Sequence, residues 1–263
     1  MIRFILYFFL LLPSALLAET LIIQSTTSTR DSGLYKYLLP NYPDYSNLKI
    51  KVIAVGTGQA IVNARNCDGD ILIVHDKEKE VDFLKNGYGI KRHDLMYNDF
   101  VIIGPAEDSL NIQISSSASE VFSKIYKGKH LFISRSDSSG THSAEMKLWS
   151  DTQLNPRRHS GDWYIETGQG MGPSLNIAIS LNGYVLSDRS SWLRFNNKKS
   201  HRILYENPEE LRNNYGMILV NPGRCPNNNY SAASKLFDWL SSAEAANLIH
   251  NYNLSGSQVF YIK

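Results

Sequence analysis

The run Ser134-Arg135-Ser136-Asp137-Ser138-Ser139-Gly140-Thr141-His142 packs an arginine, a glycine and a series of hydroxyl side chains between an apolar strand-like stretch, Leu131-Phe132-Ile133, and a helix-like stretch, Ser143 to Trp149. That mixture suits one kind of chemistry. At a helix N-terminus, free backbone N–H groups and the positive end of the dipole meet an anion, serine and threonine hydroxyls add donors, and arginine supplies the countercharge. The loop therefore reads as a cradle for an oxyanion. Arg135, Ser139, Gly140 and Thr141 are expected against the anion, with Asp137 behind them as the cap of the following helix.

Other turns repeat the pattern. Ser25-Thr26-Thr27-Ser28-Thr29 follows the first strand-like stretch of the chain after its N-terminal apolar run. On its own it reads as a solvated turn with one helix cap; after the first strand of a β/α unit, Ser25, Thr26, Thr27 and Ser28 become candidate anion donors. Gly56-Thr57-Gly58-Gln59 holds the same place after the next strand. There Gly56 and Gly58 let the backbone come close while Thr57 and successive N–H groups face a ligand. Glu166-Thr167-Gly168-Gln169-Gly170-Met171-Gly172 is a further turn of this kind, but its glycine spacing is not that of a dinucleotide fingerprint. Thr167, Gly168 and Gln169 are expected to support the cradle from behind or simply to turn the chain. Arg189, in Asp188-Arg189-Ser190-Ser191, is read as supporting structure, paired with Asp188 or with a carboxylate from the opposite lobe.

Catalytic readings are weaker. Ser139 and His142 could be a nucleophile and base with Glu166 as orienter, but the run is not G-x-S-x-G, and residues three apart at a helix start do not usually meet in those roles. A secreted serine hydrolase is therefore the less favoured alternative. His75, His93 and His142 show no i, i+4 metal spacing and read as surface or hydrogen-bonded histidines, so no metal site is expected.

The elements that must position these turns alternate. Strand-like stretches cover 20–24, 48–55, 69–74, 100–104, 131–134, 163–166, 184–187, 203–205 and 217–220; helix-like stretches cover 32–39, 59–66, 77–86, 119–126, 143–149, 172–182, 232–240 and 243–252. A β-α-β-α-β order predicts an α/β fold, with mainly parallel sheets flanked by helices and binding loops at the carboxyl ends of the strands. Two such sets with no Pro/Gly/Ser-rich tether between them predict two lobes joined by crossing strands, able to close on a small ligand. One continuous doubly wound sheet is the alternative. The expected division is lobe I over 19–98 and 214–263, lobe II over 99–213, and the ligand in the cleft between them.

At 263 residues the chain is long enough to bury a sizeable core. Its net charge of +2 excludes a broad attraction to nucleic acid, so anion specificity must be local. Arg3, the apolar run Phe4 to Leu12, and Pro13-Ser14-Ala15-Leu16-Leu17-Ala18 form a secretory signal peptide over residues 1–18, cut after Ala18, with no cysteine at the exit for a lipid anchor. An uncleaved anchor is the alternative, but the run is short of the ~20 residues a span requires. Outside the cytoplasm, Cys67 and Cys225 can form one disulfide or remain two free thiols.

The joint pattern resembles a known family. STTSTRDSGL from Ser25, VIAVGTGQA from Val52, DILIVHD from Asp70, YGIKRHDLMYNDFVIIGP from Tyr88, SRSDSSGTHSAEMKLW from Ser134, WYIETGQGMGPSLNIA from Trp163 and YGMILVNP from Tyr215 are similar to the tungstate-binding periplasmic proteins of ABC importers. The likeness runs from Leu21 to about Pro222, with the motifs in the family order. It implies a two-lobed periplasmic-binding-protein fold, type II-like, that hands an oxyanion to a membrane permease driven by an ATPase. It also implies that the turn from Ser25 to Ser28, Arg135 and Thr141 touch the ligand. The chain departs from the family at Ser25, often Thr; at SRSDSSGTH, usually SRGDDSGTH; and at SDRSSW instead of TDRGTY, which leaves the part played by Arg189 open.

Donor chemistry agrees with a small dianion. Tungstate and molybdate carry no proton at neutral pH and need donors only, whereas phosphate keeps a proton that a pocket carboxylate accepts. Donor chemistry does not separate tungstate from molybdate; the resemblance implies tungstate, with molybdate as a possible second ligand, as the cargo of a monomer with no cofactor. A phosphate-binding protein is the alternative and a sulfate-binding protein stands behind it, with a ligand sensor that does not transport as a third class.

Overall fold

Val, Ile and Leu runs form the strands, and the helices between them present one apolar face each. The computed structural model describes residues 19–262; the expected signal peptide lies outside the described residues. In chain order the elements are β1 (Glu19–Thr26), α1 (Thr27–Ser32), α2 (Leu34–Leu38), β2 (Leu48–Val55), α3 (Thr57–Arg65), β3 (Ile71–Val74), α4 (Lys77–Lys85) and β4 (Gly89–Pro105). Then come α5 (Ala118–Gly128), β5 (Phe132–Ser134), α6 (Gly140–Asp151), β6 (Tyr164–Glu166), α7 (Met171–Ser180), β7 (Tyr184–Asp188), α8 (Arg189–Arg194) and β8 (His201–Glu206). The chain closes with β9 (Arg212–Val220), α9 (Tyr230–Leu240), α10 (Ala243–Asn251) and the small hairpin β10 (Asn253–Leu254) and β11 (Ser257–Gln258).

The sheet runs β2-β1-β3-β9-β4-β7-β5-β6, with β8 also on β4. Its outer wings are parallel: β1 pairs with β2 and β3, and β5 pairs with β6 and β7. The centre is antiparallel and rests on β4. From Gly89 to Asp99 this strand pairs with β9, and from Phe100 onward it pairs with β7 and β8. One strand thus carries the chain from one half of the sheet to the other.

Each half is covered on both faces, and strand parity shows why. Ile71 and Ile73 of β3 pack with Leu21, Ile23, Met217, Leu236 and Phe237 on one face, while Leu72 and Val74 pack with Ala60, Ile61, Phe83 and Ile218 on the other. In the second half Phe100 and Ile102 join Phe122, Phe132 and Trp149, whereas Val101 and Ile103 join Leu175, Ile179 and Trp192. A strand buried on both faces reads as a continuous apolar run, as Ile71-Leu72-Ile73-Val74 does. Cys67 and Cys225 are bonded and tie the end of α3 to the loop after β9, across a sequence separation of 158. Closing so long a loop restricts the unfolded chain and contributes up to about 5 kcal/mol of stability.

Several elements depart from the sequence reading. Residues 89–99, given no element there, form strand, because pairing with β9 satisfies the backbone while Arg92 turns its charge to the fully buried Glu80, Nη2 to Oε2 2.6 Å. The first helix starts at Thr27, inside the hydroxyl cluster, and breaks at Gly33, where φ is 84° and only glycine is unstrained.

Candidate functional site

The parallel wings set the turns side by side. Ser25 and Thr26 lie in register with Ala54 and Val55, and Ser25 with Ile73, so the Thr26, Gly56 and His75 turns leave one edge together. In the other half Ser134 lies opposite Glu166, and Ile133 opposite Val185, which brings the turns after Ser134, Glu166 and Asp188 to a second edge. The two edges meet. A Cβ placed on Gly58 would stand 3.4 Å from the Ser138 carbonyl oxygen, one on Gly56 would stand 3.6 Å from that of Asp137, and one on Gly140 would stand 2.4 Å from Cε1 of His75. Between α4 and α6, Lys79 Nζ donates to Ser143 Oγ at 2.9 Å while pairing with Asp76 at 2.7 Å. This is a closed arrangement.

Donors without acceptors mark the seam. Thr57 is wholly buried and its Oγ1 has no hydrogen-bond partner; Arg135 is 4% exposed and its Nε has none either. Each such buried group costs about 1–3 kcal/mol unless a ligand satisfies it. The other guanidinium nitrogens of Arg135 are engaged, Nη1 with Thr141 Oγ1 at 3.4 Å and Nη2 with Asp137 Oδ2 at 2.5 Å. Helix α3 begins at Thr57 behind Gly56, which has no side chain to cap the first-turn N–H groups. Ser28 and Thr26 are buried, and Thr26 Oγ1 shares hydrogen bonds with Ser28 Oγ at 3.1 Å and Thr29 Oγ1 at 2.9 Å. Thr27 is half-buried at the start of α1. Gly140 and Thr141 open α6, and Ser139 Oγ caps it by accepting from the His142 N–H at 3.1 Å, which leaves the Ser139 proton to donate.

Two expected roles change. Ser25 turns inward: its hydroxyl donates to the Ile73 carbonyl at 3.1 Å and meets Tyr35 Oη at 2.5 Å, so its proton is spent on the fold. Asp137 does not cap α6, since Ser139 does; it pairs with Arg135 instead and accepts from the Ser139 N–H at 3.2 Å. Gly168 and Gln169 are exposed, and Gly168 at φ 62° turns the chain, the second of the two roles expected of them. Thr167 does support the cradle, as its Oγ1 donates to the Ser134 carbonyl at 3.0 Å.

Arg189 is held by Asp99, Nε to Oδ1 2.8 Å, and by Glu206. It braces β4 where the strand passes between halves. The His142 ring faces Ser134 Oγ at 3.3 Å and Arg157 at 3.2 Å, so it does not stand as a base beside the Ser139 hydroxyl.

His75, Asp188, Asn213 and Tyr215 were not among the expected site residues, yet they form the floor behind the seam. His75 Nδ1 is 2.8 Å from Asn213 Oδ1, and Asn213 Nδ2 donates to Asn98 Oδ1 at 2.7 Å and to Tyr215 Oη at 3.2 Å. Burial pushes the His75 imidazole down to about 4, against the opposing pull of Asp188 and Asn213, and Arg135 adds to the depression. The sequence signal was its position directly after β3, at the same edge as Thr26 and Gly56.

Comparison with known proteins agrees with this geometry. A family model described as a PBP superfamily domain matches residues 14–244. A putative ABC transporter anion-binding protein of Haloferax volcanii is 40% identical over 92% of this chain and 72% of its own. Tungstate-binding protein TupA of Peptoclostridium acidaminophilum is 39% identical over 89% of this chain and 81% of its own. Among solved structures, the tungstate ABC transporter protein from Geobacter sulfurreducens superposes with a TM-score of 0.81 at 41% identity, covering 89% of this chain and 99% of that one. With a strand-edge seam built around buried donors and relatives matched along nearly its whole length, the chain belongs to the PBP superfamily, in the family of ABC-transporter anion- and tungstate-binding proteins.

Proposed function

We propose that this chain is the solute-binding protein of an ABC importer, capturing tungstate between two lobes, 19–98 with 214–263 and 99–213, and releasing it to a permease coupled to its ATPase. The observation that carries this reading is the pair of buried donors, Thr57 Oγ1 and Arg135 Nε, left without protein acceptors on turns that face each other. An oxyanion with four acceptor oxygens satisfies both at once. Thr26, Thr27, Ser28, Ser139 and the first N–H groups of α3 and α6, at Thr57, Gly140 and Thr141, complete the donor set, with Gly56 and Gly58 admitting the close approach. The protein works as an extracytoplasmic monomer after cleavage behind Ala18. It acts as a carrier rather than an enzyme: the Ser139 hydroxyl offered to the anion caps α6, and the His142 ring is turned to Ser134 and Arg157 instead of to it.

Selection follows protonation and size. Asp137 is turned to Arg135 and to the Ser139 N–H, so its carboxylate is engaged by the protein rather than presented to the proton of phosphate. Sulfate is unprotonated but smaller, so it cannot reach donors on both sides equally well. Calorimetric competition at pH 7.5 tests this: tungstate binds with sub-micromolar affinity, molybdate close behind, and phosphate at least ~30-fold more weakly for one lost hydrogen bond of about 2 kcal/mol. Phosphate binding as tightly as tungstate contradicts the assignment.

A further inference from the structure

Two buried groups that can take up a proton, Asp188 and His75, lie behind the anion seam. Asp188 is fully buried; its Oδ1 accepts from the Ser191 N–H at 2.9 Å and the Ser190 hydroxyl at 2.5 Å, but its Oδ2 has no partner. His75 is the other. The Asn213 amide is oriented by its donation to Asn98 and Tyr215, so it presents its oxygen to His75, which fixes the imidazole proton on Nδ1. Nε2 is then the bare nitrogen, and it lies against Gly140, 2.8 Å from where a Cβ would stand. His75 therefore belongs to the first half of the fold but closes on the N-terminal residue of α6 in the second.

We infer that His75 takes up a proton at Nε2 when the cleft closes on a dianion, so that capture of the anion is coupled to capture of one proton. This rests on the proposed anion site. The groups acting on His75 from the elements packed around it are Asp188 at the end of β7, Arg135 after β5, Asp76 next in the chain, and the rings of Tyr215 and Phe100. With the seam closed and no anion in it, burial and Arg135 keep the imidazole neutral at pH 7 although Asp188, Asn213 and Asp76 pull the other way. A dianion held at Arg135 reverses the balance: its two negative charges offset the arginine's one positive charge and leave a net negative charge in the same low-dielectric seam. The sign is then fixed. His75 binds a proton more tightly with the anion present, so the anion binds more tightly as pH falls, by at most about tenfold per unit for one proton. Tungstate carries no proton of its own at this pH, so the proton must come from solvent.

The test is tungstate calorimetry at pH 7 in buffers of different ionisation enthalpy. Wild type should show heats rising with buffer ionisation enthalpy, at a slope approaching one proton taken up, and affinity should fall between pH 6.5 and pH 8. His75→Gln should still bind tungstate with the slope abolished. A wild-type slope of zero, or an unchanged slope in H75Q, overturns the inference while leaving tungstate binding intact. No heat with any oxyanion overturns the binding reading itself, and this inference with it. Should H75Q not fold, imidazole nitrogen shifts of the wild type decide: the buried ring becomes doubly protonated on adding tungstate, and an unchanged neutral ring refutes the proposal.

Discussion

Arg135→Ala weakens tungstate capture by roughly one to nearly four orders of magnitude while leaving the fold intact. Arg135 is almost fully enclosed and supplies the one formal positive charge among the candidate anion-contacting residues, with its Nε aimed at no protein acceptor. Losing a charge-assisted contact to a buried anion costs about 2–5 kcal/mol, an affinity loss of roughly 30- to 5,000-fold. The folded protein tolerates the change because the partner left behind, Asp137, is 15% exposed and water can reach it. Removing one member of a fully buried pair would instead cost about 3–5 kcal/mol of stability. Arg135→Lys keeps the charge but not the planar fork that reaches Thr141, Asp137 and the anion together, so it restores only part of the affinity. Calorimetry for binding and thermal unfolding for stability separate the two effects.

Gly140→Ala should separate stability from binding in the same way, by a steric route. In a free protein whose halves stand apart, alanine at the first residue of α6 meets no obstacle, so the melting temperature should hold there. Closure is what suffers. The new Cβ would stand 2.4 Å from Cε1 and 2.5 Å from Nδ1 of His75, and that ring is fastened to Asn213 from behind. Overpacking of this kind costs about 1–3 kcal/mol, which lowers tungstate affinity roughly 5- to 150-fold. His75→Ala in the same background removes the obstacle and recovers part of the loss. Unchanged affinity in G140A would mean that His75 and α6 are not in contact when the anion is held.

The elements that carry the seam were legible because their signals are local. Apolar runs such as Ile71 to Val74 and Leu48 to Val55 read as strands on periodicity, and the polar turn before Ser143 reads as the approach to a helix on residue type, although α6 begins three residues earlier, at Gly140. What escaped depends on distant partners. Residues 89–99 carry Lys91, Arg92, His93 and Asp94, a charged run assigned no element from sequence, and they become strand only because β9 lies alongside and Glu80 meets Arg92. Ser25 shares its residue type with Ser28 yet points the other way, since strand alternation turns it toward Tyr35 and Ile73. His75 could not be told from a surface histidine until Asn213 and Gly140 were set around it.

The central claim is that Thr57 and Arg135, from the two sides of one closed seam, hold the same anion. Crystals grown with sodium tungstate and measured at the tungsten absorption edge test it directly. The account predicts one strong anomalous peak between Thr57 Oγ1 and Arg135 Nε, with oxygens in hydrogen-bond reach of both. A peak elsewhere, or tungstate touching only one of the two residues, would contradict it.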